Sequence, residues 1–482
     1  MNPLYIVTTL VVYFLILLVV SRLTSRGADN DSFYRGNRSS PWYLVSFGMI
    51  GASLSGVTFV SVPGMVRGID MTYLQMCMGF FFGYLFIACV LLPVYYRLNL
   101  TSIYTYLGRR LGPCSYKTGS LFFFISKMLG AAIRLYLVCL ILQQFVFSHL
   151  SVPFPLTVVV IVTLIWLYTR RGGIRTIVWT DAFQTFCLIA ALVMILIRVC
   201  GAVGVHDLAS LSSVVEGSGM SRVFVFDDWH SRQNFFKQFF SGVFITIVMT
   251  GLDQDMMQKN LSCRNLREAR TNMCTYGMCF LPVNFLFLVL GVLLVVCAPQ
   301  VGLVLPQSGD QILPTYAAGG YLGPVVLVLF TIGIIAAAFS SADSALTALT
   351  TSFCVDLLGN ERLERGRAER QRKWVHFFIT VVFVACILVF YAIGNDCVID
   401  ALYVMASYTY GPLLGLFAFG LFTHRAVRDS FVPVVALLSP LVCYLIDRAV
   451  WSATGYSFGY EMLMFNGLLT FSGLWITGRG DN

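Results

Sequence analysis

Uninterrupted apolar stretches divide the chain into thirteen runs of the kind that cross a bilayer, since a spanning helix needs about 20 mainly apolar residues. They cover 2–21, 42–66, 72–97, 118–148, 155–170, 177–200, 234–257, 271–298, 322–356, 374–394, 398–423, 431–449 and 459–477, the run at 155–170 being short. The first run has neither a basic leading segment nor an A-x-A cleavage pattern, which predicts a retained helix rather than a signal peptide. The expected architecture is an all-α integral membrane protein, with 1–482 forming one transmembrane domain.

Composition agrees with the pattern. Of 482 residues, 58% are hydrophobic and 11% charged, against about 45–50% and about 25% in soluble domains. A soluble enzyme, a disordered chain and a nucleic-acid binder are thereby excluded. The expected partners are a small-molecule substrate and membrane lipid, with no nucleic acid and no obligate protein partner evident. No nucleotide-binding loop is visible, which argues against transport driven by ATP hydrolysis within the chain. The cysteines show no CxxC-type pairs and read as small core residues.

Lysine and arginine then set an orientation. Alternate loops and the tail at Arg479 hold 24 basic residues against 5 on the other side, with Lys127, Arg134 and Lys237 inside runs. By the positive-inside rule this places the amino terminus outside and the carboxyl terminus in the cytoplasm of a multi-pass cell-membrane protein. The basic stretch at 361–373 reads as a solvated topology determinant, and 201–233 as an external loop or short surface helix.

Ionisable groups are costly inside a bilayer, so each one found there is a functional candidate. Arg134 falls near the centre of 118–148, Asp181 about one turn into 177–200, and Asp343 in the inner half of 322–356. Lys127 shares the helical face of Arg134 and is placed to snorkel to the cytoplasmic surface. AAAFSSADSALT at 336–347 puts Ala337, Ser340, Ser341 and Ser344 on one arc with Asp343 beside it. Such a face offers oxygen ligands to a hard cation such as sodium. It also offers small residues for close helix packing, and the stretch alone leaves both readings open. GMIGASLSGVT at 48–58 poses the same pair: a local unwinding that frees carbonyls, or close packing. TGLDQDMMQKN at 250–260 reads as the interfacial end of the seventh run.

Six motifs in order resemble the sodium/solute symporter family, which includes proline, galactose and sialic acid symporters. They are FYRGNRSSPWYLVSFGMIGASLSG with VPGMV after it, LPVYYRLNLTSIYTYLGRRLG at 92–112, GGIRTIVWTDAFQ at 172–184, LDQDMMQKNLSC at 252–263, SSADS at 340–344 and SYTYGPLLGLFAFGLF at 407–422. The resemblance implies a LeuT-type core of two inverted five-helix repeats, 42–200 and 234–424. One helix (2–21) precedes it and two (431–477) follow. It implies a sodium site at Gly51, Leu54, Ala337, Ser340 and Ser341. Members that move two sodium ions add a second site, which points here to Asp181, Ser340, Asp343 and Ser344. Position 343 departs from members carrying a hydroxyl residue there; the extra carboxylate fits a sodium ligand, a partner for a nearby cation or a proton carrier.

The implied substrate residues are Ser53, Ser55, Thr58, Gln75, Arg134 and Thr246. Arg134 matches in place the arginine with which sialic acid symporters hold a carboxylate, a pairing that a planar guanidinium makes bidentately. An ion pair with an aspartate of the bundle is the competing role. The function expected from the resemblance is transport, not catalysis: sodium-coupled uptake of a small polar solute, sialic acid or another sugar acid, by alternating access. The alternative is a sodium- or proton-coupled symporter of a neutral sugar, amino acid or monocarboxylate. A passive channel is a rival that cannot concentrate its solute.

Overall fold

The computed structural model describes residues 3–147, 151–360, 363–456 and 458–478. Asn2, Ser148, Glu361, Arg362 and Arg479, all counted in the runs and charges above, lie outside the described residues.

Helices are the only spanning elements among the described residues, as expected where lipid leaves backbone groups no other partner. A helix coincides with each predicted run. Seven are long and apolar enough to cross a membrane: Tyr73–Arg97, Pro113–Leu142, Ile174–Val203, Leu266–Gln300, Pro324–Leu357, Arg365–Ile393 and Asp429–Thr454. Two bent pairs raise the count to as many as nine among the described residues. Shorter apolar helices occupy Thr8–Thr24, Phe154–Thr169 and Met462–Thr477, and Asn395–Phe422 forms the remaining one.

The bent pairs organise the molecule. Trp42–Ser53 and Gly56–Ile69 meet at 62°, and Phe235–Gly251 and Gln254–Leu261 at 65°. In the first, Leu54 leaves the helix at φ −82°, ψ 85°, and extended Ser55 caps the second half by accepting from the Thr58 N–H. In the second, the five-residue π-turn Ile247–Gly251 gives way to extended Asp253, whose carboxylate accepts from the Asp255 N–H. A side-chain oxygen at the first capping position satisfies a donor that the new helix would otherwise strand. Both breaks use this device.

Close packing fixes the first broken helix against its neighbours. A Cβ at Gly48 would stand 2.9 Å from Asp181 Cβ, and one at Gly51 3.0 Å from Thr185 Cβ. The helix Ile174–Val203 therefore seats directly on the broken one because these two positions lack side chains. On the outer surface large apolar residues such as Phe186, Ile197, Phe378 and Leu437 stay exposed, as suits helices facing hydrocarbon.

Candidate functional site

Between the two breaks lies a cavity of about 270 Å³. Ser53, Ser55 and Thr58 line it from the first broken helix, Thr246 from the second, and Arg134 from the helix Pro113–Leu142. Ser55 and Thr58 hydroxyls stand 3.2 Å apart. Ser53 Oγ lies 2.5 Å from Tyr276 OH, which is 2.8 Å from Tyr84 OH. One wall is thus a short hydroxyl chain.

Arg134 is half-buried in this lining, and among the described residues no ion pair or hydrogen bond to it is found. The competing role as a structural ion pair belongs to Lys127. Its ammonium lies 2.8 Å from Asp255 and 3.1 Å from Asp253. Lys127 therefore does not reach the surface; two carboxylates at the second break hold it inside. The stretch 250–260 is likewise no interfacial end. Asp253, Asp255 and Lys259 are only 1%, 4% and 1% exposed, because the half-helix Gln254–Leu261 turns back into the bundle.

Gln75 lies outside the cavity lining. Its amide donates to the Gln233 and Thr72 carbonyls and accepts from the Val225 N–H. It holds the extended segment after residue 222 against the helix Tyr73–Arg97.

The serine helix, Pro324–Leu357, approaches the first break from the other side. Ser341 Oγ donates to Ala337 O at 3.1 Å and to Ala52 O at 3.3 Å. Ending the helix at Ser53 leaves the carbonyls of its last turn without helical N–H partners, and Leu54 has left helical geometry. The Ser341 hydroxyl and the carbonyls of Ala52 and Ala337 thus stand within hydrogen-bond distance of one another at the break, and oxygens are the ligands that a hard cation prefers. Ala52, absent from the residues predicted above, is the carbonyl that Ser341 touches. Its neighbour Gly51 serves packing as well, so the two readings of the small-residue stripe coexist.

Ser340 points its hydroxyl elsewhere, donating to Asp181 Oδ1 at 2.6 Å. Asp181 Oδ2 is 2.7 Å from the Lys259 ammonium. Asp343 Oδ2 accepts from Tyr168 OH at 2.8 Å and Oδ1 from Ser344 at 3.3 Å. Lys259 also stands 4.0 Å from Asp255. Alternating charges thus run from Asp181 through Lys259, Asp255 and Lys127 to Asp253, linking the serine helix to the cavity. The sequence hides this chain because its members are scattered over three helices.

The cavity adjoins a larger vestibule of about 1060 Å³, with Met65, Tyr73, Met76 and Tyr460 lining both. The opposite end is tied shut. Tyr95 and Tyr104 donate to the carbonyls of Gly251 and Leu252 at 2.9 and 2.8 Å. Gln254 spans Ile103 N and Thr101 O, both at 2.9 Å, and Gln258 reaches Tyr34 O at 2.8 Å. The cavity therefore adjoins the vestibule on the side away from these bonds.

Residues 33–430 match the sodium:solute symporter family. The chain is 26% identical to the sodium/sialic acid symporter NanT of Aliivibrio fischeri, across 92% of this chain and 88% of that one. It is 24% identical to the sodium/sialic acid symporter SiaT of Proteus mirabilis, across 90% and 87%. A solved substrate-bound, outward-open Na+-coupled sialic acid symporter is similar with a TM-score of 0.82, covering 98% of this chain and 97% of that one. At 21% identity that likeness establishes the fold.

Proposed function

The chain belongs to the sodium:solute symporter family and is a multi-pass, sodium-coupled secondary transporter, and from that premise we propose that it imports a carboxylate-bearing solute, a sialic acid or another sugar acid. The observation that carries this reading is Arg134: a guanidinium lining the cavity with no ion-pair partner among the described residues. A half-buried cation without such a partner is most readily satisfied by an anionic ligand, and a carboxylate fits its planar fork. Hydroxyls of Ser55 and Thr58 and of Thr246 flank it and supply hydrogen bonds for a polyol. Ser53 acts through its link to Tyr276, and Gln75 braces the mouth rather than touching the substrate. The sodium/sialic acid symporters among the relatives support the same substrate class.

The proposed topology has thirteen spans, with the helices at 3–24, 154–169, 395–422 and 462–477 completing the set. Two inverted repeats at 42–200 and 234–424 form the core, and 431–477 supplies two trailing helices. With the amino terminus outside, the vestibule is extracellular and the sealed end cytoplasmic. Sodium is cargo. Held by Gly51, Leu54, Ala337, Ser340 and Ser341, with Ala52 beside them, it bridges the first break to the serine helix and favours the cavity that accepts substrate. The coupling is reciprocal, so substrate tightens sodium binding by the factor that sodium tightens substrate binding. Ser340 keeps its proton on Asp181 and offers sodium an oxygen lone pair.

A thermal-shift panel in detergent tests the assignment, with sugars, sugar acids, amino acids and monocarboxylates in sodium or choline. A ligand at about a hundred times its Kd stabilises by about 2.7 kcal/mol. The expected result is stabilisation by a sugar acid, larger in sodium. Stabilisation by neutral sugars alone contradicts the carboxylate reading, and stabilisation by amino acids alone contradicts the sugar-acid assignment.

A further inference from the structure

Resting on the symporter reading, we propose that the second cation position, beside Asp181, is filled by the chain's own Lys259, so that one sodium rather than two accompanies each substrate. The oxygens that a second sodium would need are already engaged. Asp181 gives one oxygen to Ser340 and the other to the Lys259 ammonium, 2.7 Å away. Ser344 donates to Asp343, whose second oxygen holds Tyr168. All of these side chains are fully or almost fully buried, Lys259 included at 1% exposure.

The donor set does not fit a second free cation while Lys259 is in place. A sodium ion ligated by the other oxygen of Asp181 would stand only about 4 Å from the ammonium, across the carboxylate. Two like charges about 4 Å apart at an effective dielectric near 20 weaken binding by about a thousandfold. Lys259 is also anchored from behind: Asp255 stands 4.0 Å away and is itself tied to Lys127 at 2.8 Å. The tethered ammonium supplies the positive charge that Asp181 needs without being released into the cell. It thus does electrostatically what a second ion does, at no cost to the sodium gradient.

The test is equilibrium binding of radioactive sodium to the purified full-length protein, scaled to moles of transporter. Wild type is expected to bind one sodium with a Hill coefficient of about 1. Lys259→Met, which removes the tethered charge, is expected to bind two, and Lys259→Arg one. A wild-type ratio of two overturns the proposal, as does a folded Lys259→Met protein that still binds one. The wild-type ratio decides the matter if Lys259→Met does not fold. A second readout is the response to voltage. One sodium with a monocarboxylate carries no net charge, so an imposed 100 mV leaves accumulation unchanged. Two sodium ions would raise it about fifty-fold. Wild type that binds no sodium at all refutes the symporter reading itself, a failure distinct from a ratio of two.

Discussion

Two cations on one helix, Lys127 and Arg134, are both at the cavity and are predicted to respond to removal in opposite ways. Lys127 has two aspartates within 3.1 Å, and these are 1% and 4% exposed. Lys127→Met takes the ammonium from both carboxylates, leaving Asp255 only Lys259 at 4.0 Å, and breaking a buried pair from one side costs about 3–5 kcal/mol. Arg134 has no such partner among the described residues. Arg134→Ala therefore leaves nothing unpaired, and the ligand-free protein should change by less than about 1 kcal/mol. Its cost falls on the ligand. Losing charge-assisted hydrogen bonds worth about 1.5–3 kcal/mol raises the Kd of a carboxylate substrate about tenfold to a hundredfold. The carboxamide analogue, which cannot form that pair, should bind the variant about as it binds wild type. Melting curves without ligand, together with calorimetric affinities for acid and amide in fixed sodium, measure all four quantities. Equal loss for acid and amide, or a ligand-free Arg134→Ala protein as unstable as Lys127→Met, refutes the division of roles.

Three further outcomes follow from the same geometry. Ser341→Ala removes only the bonds to Ala337 and Ala52 at 3.1 and 3.3 Å, so the fold should survive at a cost of about 1 kcal/mol while sodium-dependent stabilisation disappears in the thermal-shift assay. Gln75→Leu severs the hold on Val225, Gln233 and Thr72; limited proteolysis should then cut near 222–235 faster, with the ranking of substrates unchanged. Gly83→Val places a side chain where an added Cβ alone would stand 2.6 Å from Thr246 Cβ, so it should close the wall around Thr246 and lower substrate affinity or yield, read by ligand binding and by monodisperse recovery.

Much of the scaffold was legible because apolar length is a strong signal: each predicted run met a helix, and most boundaries moved by only a few residues. The first break was legible too, since Gly48, Gly51, Ser53 and Ser55 advertise it. The second was not. Gly251, Leu252 and Asp253 open a polar-rich stretch that, in one dimension, looks like a helix surfacing from the bilayer. Only the 65° turn shows that Asp253, Asp255 and Lys259 re-enter the bundle. Lys259 consequently counted as a loop cation, and Lys127 as one that escapes to the surface. Long-range pairing hides from sequence wherever partners sit on separate helices, as with Asp181 and Lys259, 78 positions apart in number. Gln75 misled for a related reason: a polar side chain facing a cavity and one clamping a loop carry the same residue type.

Coupling between sodium and substrate across the first break is the centre of the proposed mechanism. Uptake of a radiolabelled sugar acid into proteoliposomes, with an inward sodium gradient or with choline in its place at fixed pH, measures that coupling directly. The predicted result is accumulation above the external concentration in sodium and none in choline. Equal accumulation in choline would contradict the account, as would simple equilibration in both.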